Sequence, residues 1–257
     1  MVKGLETFRD FFADYRDCYV IIGGSACDLY FAEQDLPFRV THDIDMILCV
    51  ESLTPAFFNR FWEFIRAGGY VNRQKSDGRP QFYRFSKPAV AGFPAMLELF
   101  SRKADFLPDD GASHLTPVPS GEEASSLSAI LLDRDCYEFV MANRREAEGV
   151  TVLDPIALIV LKAIAWFDLT EKREAGNKTV SLHDIGKHKN DIARLTATIG
   201  VRDYVLPDAI RERMRGFLAK YATTDIDVSA LGVAIDADEI RRRLALCFNI
   251  DETNTKE

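Results

Sequence analysis

Asp43 and Asp45, separated by one residue, stand at the head of an apolar run in Thr41-His42-Asp43-Ile44-Asp45-Met46-Ile47-Leu48. Residues two apart on a strand point to the same face, so this spacing presents paired carboxylates where a hydrophobic strand begins. Two like charges side by side are destabilising unless a cation sits between them. Hard oxygen ligands of this kind suit Mg²⁺, and two such ions can activate an attacking oxygen and steady a leaving pyrophosphate. The plain alternative is a solvated Asp-x-Asp at a strand edge.

Upstream lies a second element suited to phosphates. Tyr19-Val20-Ile21-Ile22 reads as a buried strand that runs into Gly23-Gly24-Ser25 and opens a helix. At such a corner backbone N–H groups, a serine hydroxyl and a helix N-terminus are expected to point outward, which fits a triphosphate. Gly-Gly-Ser also serves as simple turn chemistry. A third acid, Glu98, interrupts the apolar strand Met96-Leu97-Glu98-Leu99-Phe100, where burial costs energy unless the charge is paired or metal-bound. An exposed position on an edge strand would equally explain it.

The elements that must hold these residues follow from periodicity. Phe8, Phe11 and Phe12 suggest a short amphipathic helix, and Ser25 can cap a helix running to about Glu33 before Leu36-Pro37 breaks it. Asp43 to Val50 reads as a strand. Thr54 is an N-cap with Pro55 at the first helical position, and the helix closes at Gly68-Gly69. Strands are expected at Gln81 to Ser86 and Ala95 to Phe100, a loop from Pro108 to Ser126, and a hairpin around Ile130 and Tyr137 to Met141. Beyond Val150 the pattern is helical: Pro155 to Leu169 capped by Asp154, then about Leu182 to Ile199, Asp208 to Tyr221 and Asp236 to Phe248. This places a domain boundary near residue 150, giving units 1–150 and 151–257.

Composition limits the partners. The 257 residues carry a formal charge of −8, which argues against a chain that coats nucleic acid non-specifically, since that mode needs a basic surface. A local basic groove could still form at Arg66 to Arg84 or Lys172 to Lys189, although a mixed-charge surface explains both runs. Five scattered cysteines without a CxxC pair suggest buried thiols in a reducing compartment, and no signal pattern or long apolar span appears. The expectation is a cytoplasmic protein with no membrane partner.

Taken together, the Gly-Ser corner, the paired-aspartate strand and the later acid resemble the nucleotidyltransferase superfamily that includes DNA polymerase beta. Within it, Gly23-Gly24-Ser25-Ala26 followed by Arg39-Val40-Thr41-His42-Asp43-Ile44-Asp45 is most similar to the nucleotidyltransferase-type toxins of abortive-infection and toxin–antitoxin systems. The resemblance covers residues 19–100 and, more loosely, 152–195. It implies an α+β nucleotidyltransferase fold, a mixed sheet flanked by helices, with a C-terminal helical domain closing the nucleotide cleft. It also implies an NTP substrate, two Mg²⁺ ions on Asp43, Asp45 and Glu98, and an acceptor such as an RNA or tRNA end, a small molecule or a protein. An antitoxin partner is implied in the same way.

That branch carries a lysine on its first C-terminal helix and a later basic-x-x-x-Asp helix, matched here by Lys162 and by Lys187 with Asp191. By resemblance Lys162 and Lys187 help hold the triphosphate, with Gly23, Gly24, Ser25, Arg39 and Thr41, while Asp191 orients one lysine or assists proton transfer. A snorkelling surface lysine and an ordinary i,i+4 pair are the plain alternatives. Two rival functions stand beside this one. His183-Asp184 looks like the core of an HD-type metal phosphohydrolase, but the site also needs an upstream histidine and a downstream aspartate, and His42, His114, His183 and His188 are the only histidines. A catalytically inactive nucleotide-binding or interaction module of the same fold is the other.

Overall fold

The computed structural model describes residues 2–76, 82–102, 116–118 and 134–248. Gln81, Ile130, His114 and most of the 108–126 stretch lie outside them. The chain divides into two compact units, Met1–Leu132 with Val140–Asp154, and Asp133–Phe139 with Pro155–Glu257.

The first unit is built on a mixed sheet. Its strands are β1 (Tyr19–Ile22), β2 (Asp43–Leu48), β3 (Tyr70–Ser76), β4 (Phe82–Pro88), β5 (Met96–Phe100), β6 (Thr116–Val118), β7 (Arg144–Ala147) and β8 (Val150–Leu153). Among the described residues their order is β6-β3-β4-β5-β2-β1-β8-β7. The β1–β8, β2–β5 and β3–β6 pairs are parallel and the rest antiparallel. Helices α1 (Leu5–Phe11), α2 (Gly23–Glu33) and α3 (Pro55–Gly68) complete the unit's regular N-terminal half.

Helix α3 forms as the sequence predicts. Thr54 Oγ1 accepts from the Phe57 amide at 3.2 Å, Pro55 fills the first turn, and Gly69 ends the helix in the left-handed region at φ 61°. Its apolar stripe packs on the sheet, with Phe61 and Trp62 lying 5.3 and 5.7 Å from the Phe85 ring. Phe8, Phe12 and Tyr19 extend this cluster, the Phe8 and Tyr19 rings 5.2 Å apart in an edge contact. The α3 side of the sheet is thereby filled by Ile44, Leu97 and Phe85, which are in register across β2, β5 and β4.

Several elements differ from the sequence expectations. Tyr137–Met141 belongs to a helix, α4 (Arg134–Ala142), because Cys136, Tyr137 and Val140 recur at helical rather than alternating spacing and are buried together. Thr116–Val118, inside the expected loop, pairs with β3. The β7–β8 hairpin was hidden by the charges of Arg144, Arg145 and Glu146. Its turn has positive φ at both central residues, Glu148 (48°) and Gly149 (76°), the two-residue turn that suits strand twist.

The second unit contains α5 (Pro155–Glu174), α6 (Leu182–Thr198), α7 (Asp208–Tyr221), α8 (Val228–Leu231) and α9 (Ala237–Phe248). Helix α5 is apolar nearly all round and buried along most of its length, as a central helix must be. Trp166 anchors α7 through edge contacts with Phe217 and Tyr221 at 5.7 and 5.4 Å. No helix among the described residues is long and apolar enough to cross a membrane.

All five cysteines are buried thiols outside any disulfide. Burial pushes the Cys49 thiol from 9.0 up to about 11, against the lowering effect of Arg144, whose guanidinium donates to its Sγ at 3.6 Å. Cys18 also rises to about 11, through burial first and Asp17 second. Burial raises the phenols of Tyr19, Tyr70 and Tyr221 as well. Each group holds its proton more tightly folded than unfolded, so its contribution is complete below the unfolded value and lost as pH rises through the folded one. The urea midpoint is expected to fall progressively between about pH 9 and 11, the window set by the two thiols. A flat alkaline profile would contradict this burial.

Candidate active site at the β1–α2 corner

Strand β1 delivers the chain into α2 with Ile22 opposite Asp45 of β2. Gly23 takes φ 68°, a conformation that L side chains rarely adopt, and a Cβ there would collide with the Asp45 carboxylate. Gly24 is constrained by space: a Cβ would sit 2.8 Å from Thr41 Oγ1 and 3.0 Å from an Arg39 guanidinium nitrogen. Arg39 in turn donates to Thr41 Oγ1 at 3.2 Å and lies 5.2 Å from the centre of the Phe38 ring. The two glycines are therefore the surfaces against which an acid and a base–hydroxyl pair rest.

Ser25 behaves differently from expectation. Helix α2 begins at Gly23, so Ser25 lies inside its first turn and is no N-cap. Its side chain is fully buried, and its hydroxyl donates to the Asp43 carbonyl rather than pointing outward. The returning segment before β2 brings that carbonyl against α2, which explains the turn inward. Ser25 thus ties the first aspartate's backbone to the helix start.

Register assembles the carboxylates. In parallel β2 and β5, Asp43 lies opposite Met96 and Asp45 opposite Glu98, so all three acids project from the face away from α3. They are half-buried, in alternation with buried Ile44, Leu97 and Leu99. On the far side of β5, Arg84 of β4 is in register with Glu98, and its Nε and a terminal nitrogen both reach Glu98 Oε1 at 2.6 Å. Arg84 escaped the sequence reading. The alternation Tyr83-Arg84-Phe85 within an expected strand was its signal, since the two rings face α3 and put Arg84 on the carboxylate face.

The donor set of Asp43, Asp45 and Glu98 fits a hard divalent cation in chemical type and in sharing one face. Among the described residues, however, no group of three or more His, Cys, Asp or Glu side chains is gathered as a metal cluster. Glu98 is drawn to Arg84 instead. The same finding leaves the HD-type reading without a ligand set among the described residues: His183 is exposed in the first turn of α6, where the Asp184 amide donates to Ser181 Oγ at 3.4 Å.

Two of the second unit's predicted residues, Lys162 and Asp191, meet one another within that unit. Lys162 Nζ donates to Asp191 Oδ2 at 2.9 Å, with side-chain exposures of 6% and 0%. Lys162 is no snorkelling surface lysine, and Asp191 turns into the core towards α5. Arg194 approaches its other oxygen at 3.8 Å, and Lys187 is half-buried.

A mutation tests the corner's packing. Gly23→Ala adds both left-handed strain and a clash with Asp45, and should lower stability by about 1–3 kcal/mol. Chemical denaturation measures it, and an unchanged midpoint would show that the corner does not constrain Gly23.

No protein-family model matches the chain, and no curated protein does. Among solved structures it is similar to the crystal structure of an antigenic nucleotidyltransferase-like protein from Paracoccidioides brasiliensis, at 17% identity over 91% of this chain and 94% of that chain, with a TM-score of 0.42. A backbone likeness of that size does not identify a fold, so the functional reading rests on the corner formed by Gly23, Gly24, Ser25, Arg39, Thr41, Asp43 and Asp45.

Proposed function

We propose that the protein is a magnesium-dependent nucleotidyltransferase that moves a nucleoside monophosphate from an NTP to an acceptor hydroxyl. The observation that carries this is the convergence of a glycine-rich helix start, an arginine and two face-sharing aspartates at one corner. Asp43 and Asp45, joined by Glu98, would hold two Mg²⁺ ions, which when bound supply charge neutralisation at the phosphates and acidify the acceptor hydroxyl.

The chain's own groups do the rest. The first turn of α2 offers backbone N–H groups and the positive end of its dipole to phosphate oxygens. Arg39 adds a guanidinium whose position is fixed by Thr41 and Gly24. In the step itself the acceptor oxygen bonds to the α-phosphorus while the α–β bridging P–O bond breaks, and pyrophosphate leaves with that electron pair. Glu98 is the carboxylate that takes up the hydroxyl proton. By resemblance alone, Lys162 and Lys187 would help hold the triphosphate, and Asp191 would orient Lys162, to which it is paired.

The acceptor proposed is an RNA end such as a tRNA acceptor stem, with a small-molecule hydroxyl or a protein side chain as alternatives. A toxin role with a partner antitoxin, in the cytoplasm, belongs to the same proposal. Incubating the protein with each α-labelled NTP, Mg²⁺ and total bacterial RNA, beside an Asp43→Asn/Asp45→Asn control, tests the reading. Label that is lost in the control supports transfer and reveals the acceptor class. NTP binding without transfer to any acceptor would favour the inactive binding module.

A further inference from the structure

The carboxylate face carries a built-in positive charge. Asp45, Glu98 and Arg84 form one row across β2, β5 and β4, each in register with the next. Arg84 holds Glu98 through two nitrogens at 2.6 Å, and both side chains are largely shielded, 29% and 14% exposed. A charge-assisted pair in this partly desolvated setting is strong, and it places a cation on the same face as Asp45. The β4 neighbours of Arg84, Tyr83 and Phe85, are buried, and Phe85 packs on the opposite side against Phe61 of α3.

We propose that Arg84 is a positioning residue that sets the divalent-cation affinity of the Asp43–Asp45 site by holding Glu98 and offsetting its charge. The proposal rests on the reading of Asp43 and Asp45 as cation ligands. With Glu98 held by Arg84, the charge of the third carboxylate is offset within its own row of the sheet. Cation entry must then draw Glu98 from Arg84 or do without it, so the site is tuned to fill when a nucleotide's phosphates bring further negative oxygens. Freed from Glu98, the Arg84 guanidinium would remain on the same face, where it suits an anionic phosphate oxygen.

The test is a titration of the full chain with Mn²⁺ alone, free Mn²⁺ being counted by electron paramagnetic resonance. Arg84→Met is expected to tighten Mn²⁺ binding by about tenfold or more, since it removes a neighbouring positive charge and releases a third carboxylate. Arg84→Gln, neutral and polar, should tighten it to the same order and serves where the methionine variant does not fold. Arg84→Lys keeps the charge and should stay near the wild type. Adding Glu98→Gln to Arg84→Met should abolish the gain.

Folded neutral variants that bind Mn²⁺ no more tightly than the wild type overturn the proposal. The Asp43→Asn/Asp45→Asn protein separates this failure from that of the site itself. If it loses Mn²⁺ binding while Arg84→Met gains nothing, only the role of Arg84 fails. If it binds Mn²⁺ like the wild type, the carboxylate site fails and Arg84 with it.

Discussion

Asp45→Asn should lower nucleotide transfer by about a thousandfold or more while leaving the fold intact, because loss of a single charge-stabilising group at a reacting centre already costs 10²–10³ in rate. The substitution keeps the volume and half-buried position of the side chain and its packing against Gly23. It removes one of the two carboxylates on the β2 face. Asp43→Asn should fall by the same order, since Ser25 grips the Asp43 backbone carbonyl, which the substitution leaves alone. Equal rates for wild type and Asp45→Asn, measured with labelled NTP, would remove the aspartates from the mechanism. A loss of rate accompanied by unfolding would instead assign them a structural part.

The second large effect is on stability. Lys162→Met leaves the Asp191 carboxylate 0% exposed and without the ammonium now 2.9 Å away. Breaking a buried pair from one side costs about 3–5 kcal/mol, because the desolvated carboxylate loses its nearest counter-charge and keeps only the longer approach of Arg194 at 3.8 Å. Asp191→Leu should be comparable in direction, because it leaves the buried Lys162 ammonium without its carboxylate. Combining Lys162→Met with Asp191→Leu should recover much of the loss, since an apolar pair of similar volume carries no such penalty. A urea series on the two single variants and the double decides this: additive losses in the double would contradict a coupled pair. If the pair also serves the triphosphate, the double variant will be stable yet weak in NTP binding, which separates its structural part from its functional one.

Much of the corner was legible because it is local. Gly23-Gly24 after four apolar residues, and two aspartates one residue apart, are statements about neighbours in the chain, and the period-two rule places both carboxylates on one face. Thr54-Pro55 and Gly68-Gly69 gave α3 almost to the residue for the same reason. What escaped depended on distant partners. The Arg84–Glu98 pair needs the β4–β5 register, and the inward turn of Ser25 needs the return of residues 35–42 to the start of α2. The Lys162–Asp191 pair joins positions 29 residues apart, and from sequence Lys187 was the nearer partner at i,i+4 spacing. Strands β3 and β7 are polar enough that no apolar alternation marks them, so pairing with β4, β6 and β8 defines them instead.

The most direct measurement compares α-labelled with γ-labelled NTP in the presence of Mg²⁺, for the wild type and for Asp43→Asn/Asp45→Asn. Nucleotidyl transfer predicts that α-label enters the acceptor, that γ-label appears only in released pyrophosphate, and that both signals vanish in the double variant. Entry of γ-label into the acceptor, or transfer undiminished without the two carboxylates, would contradict it.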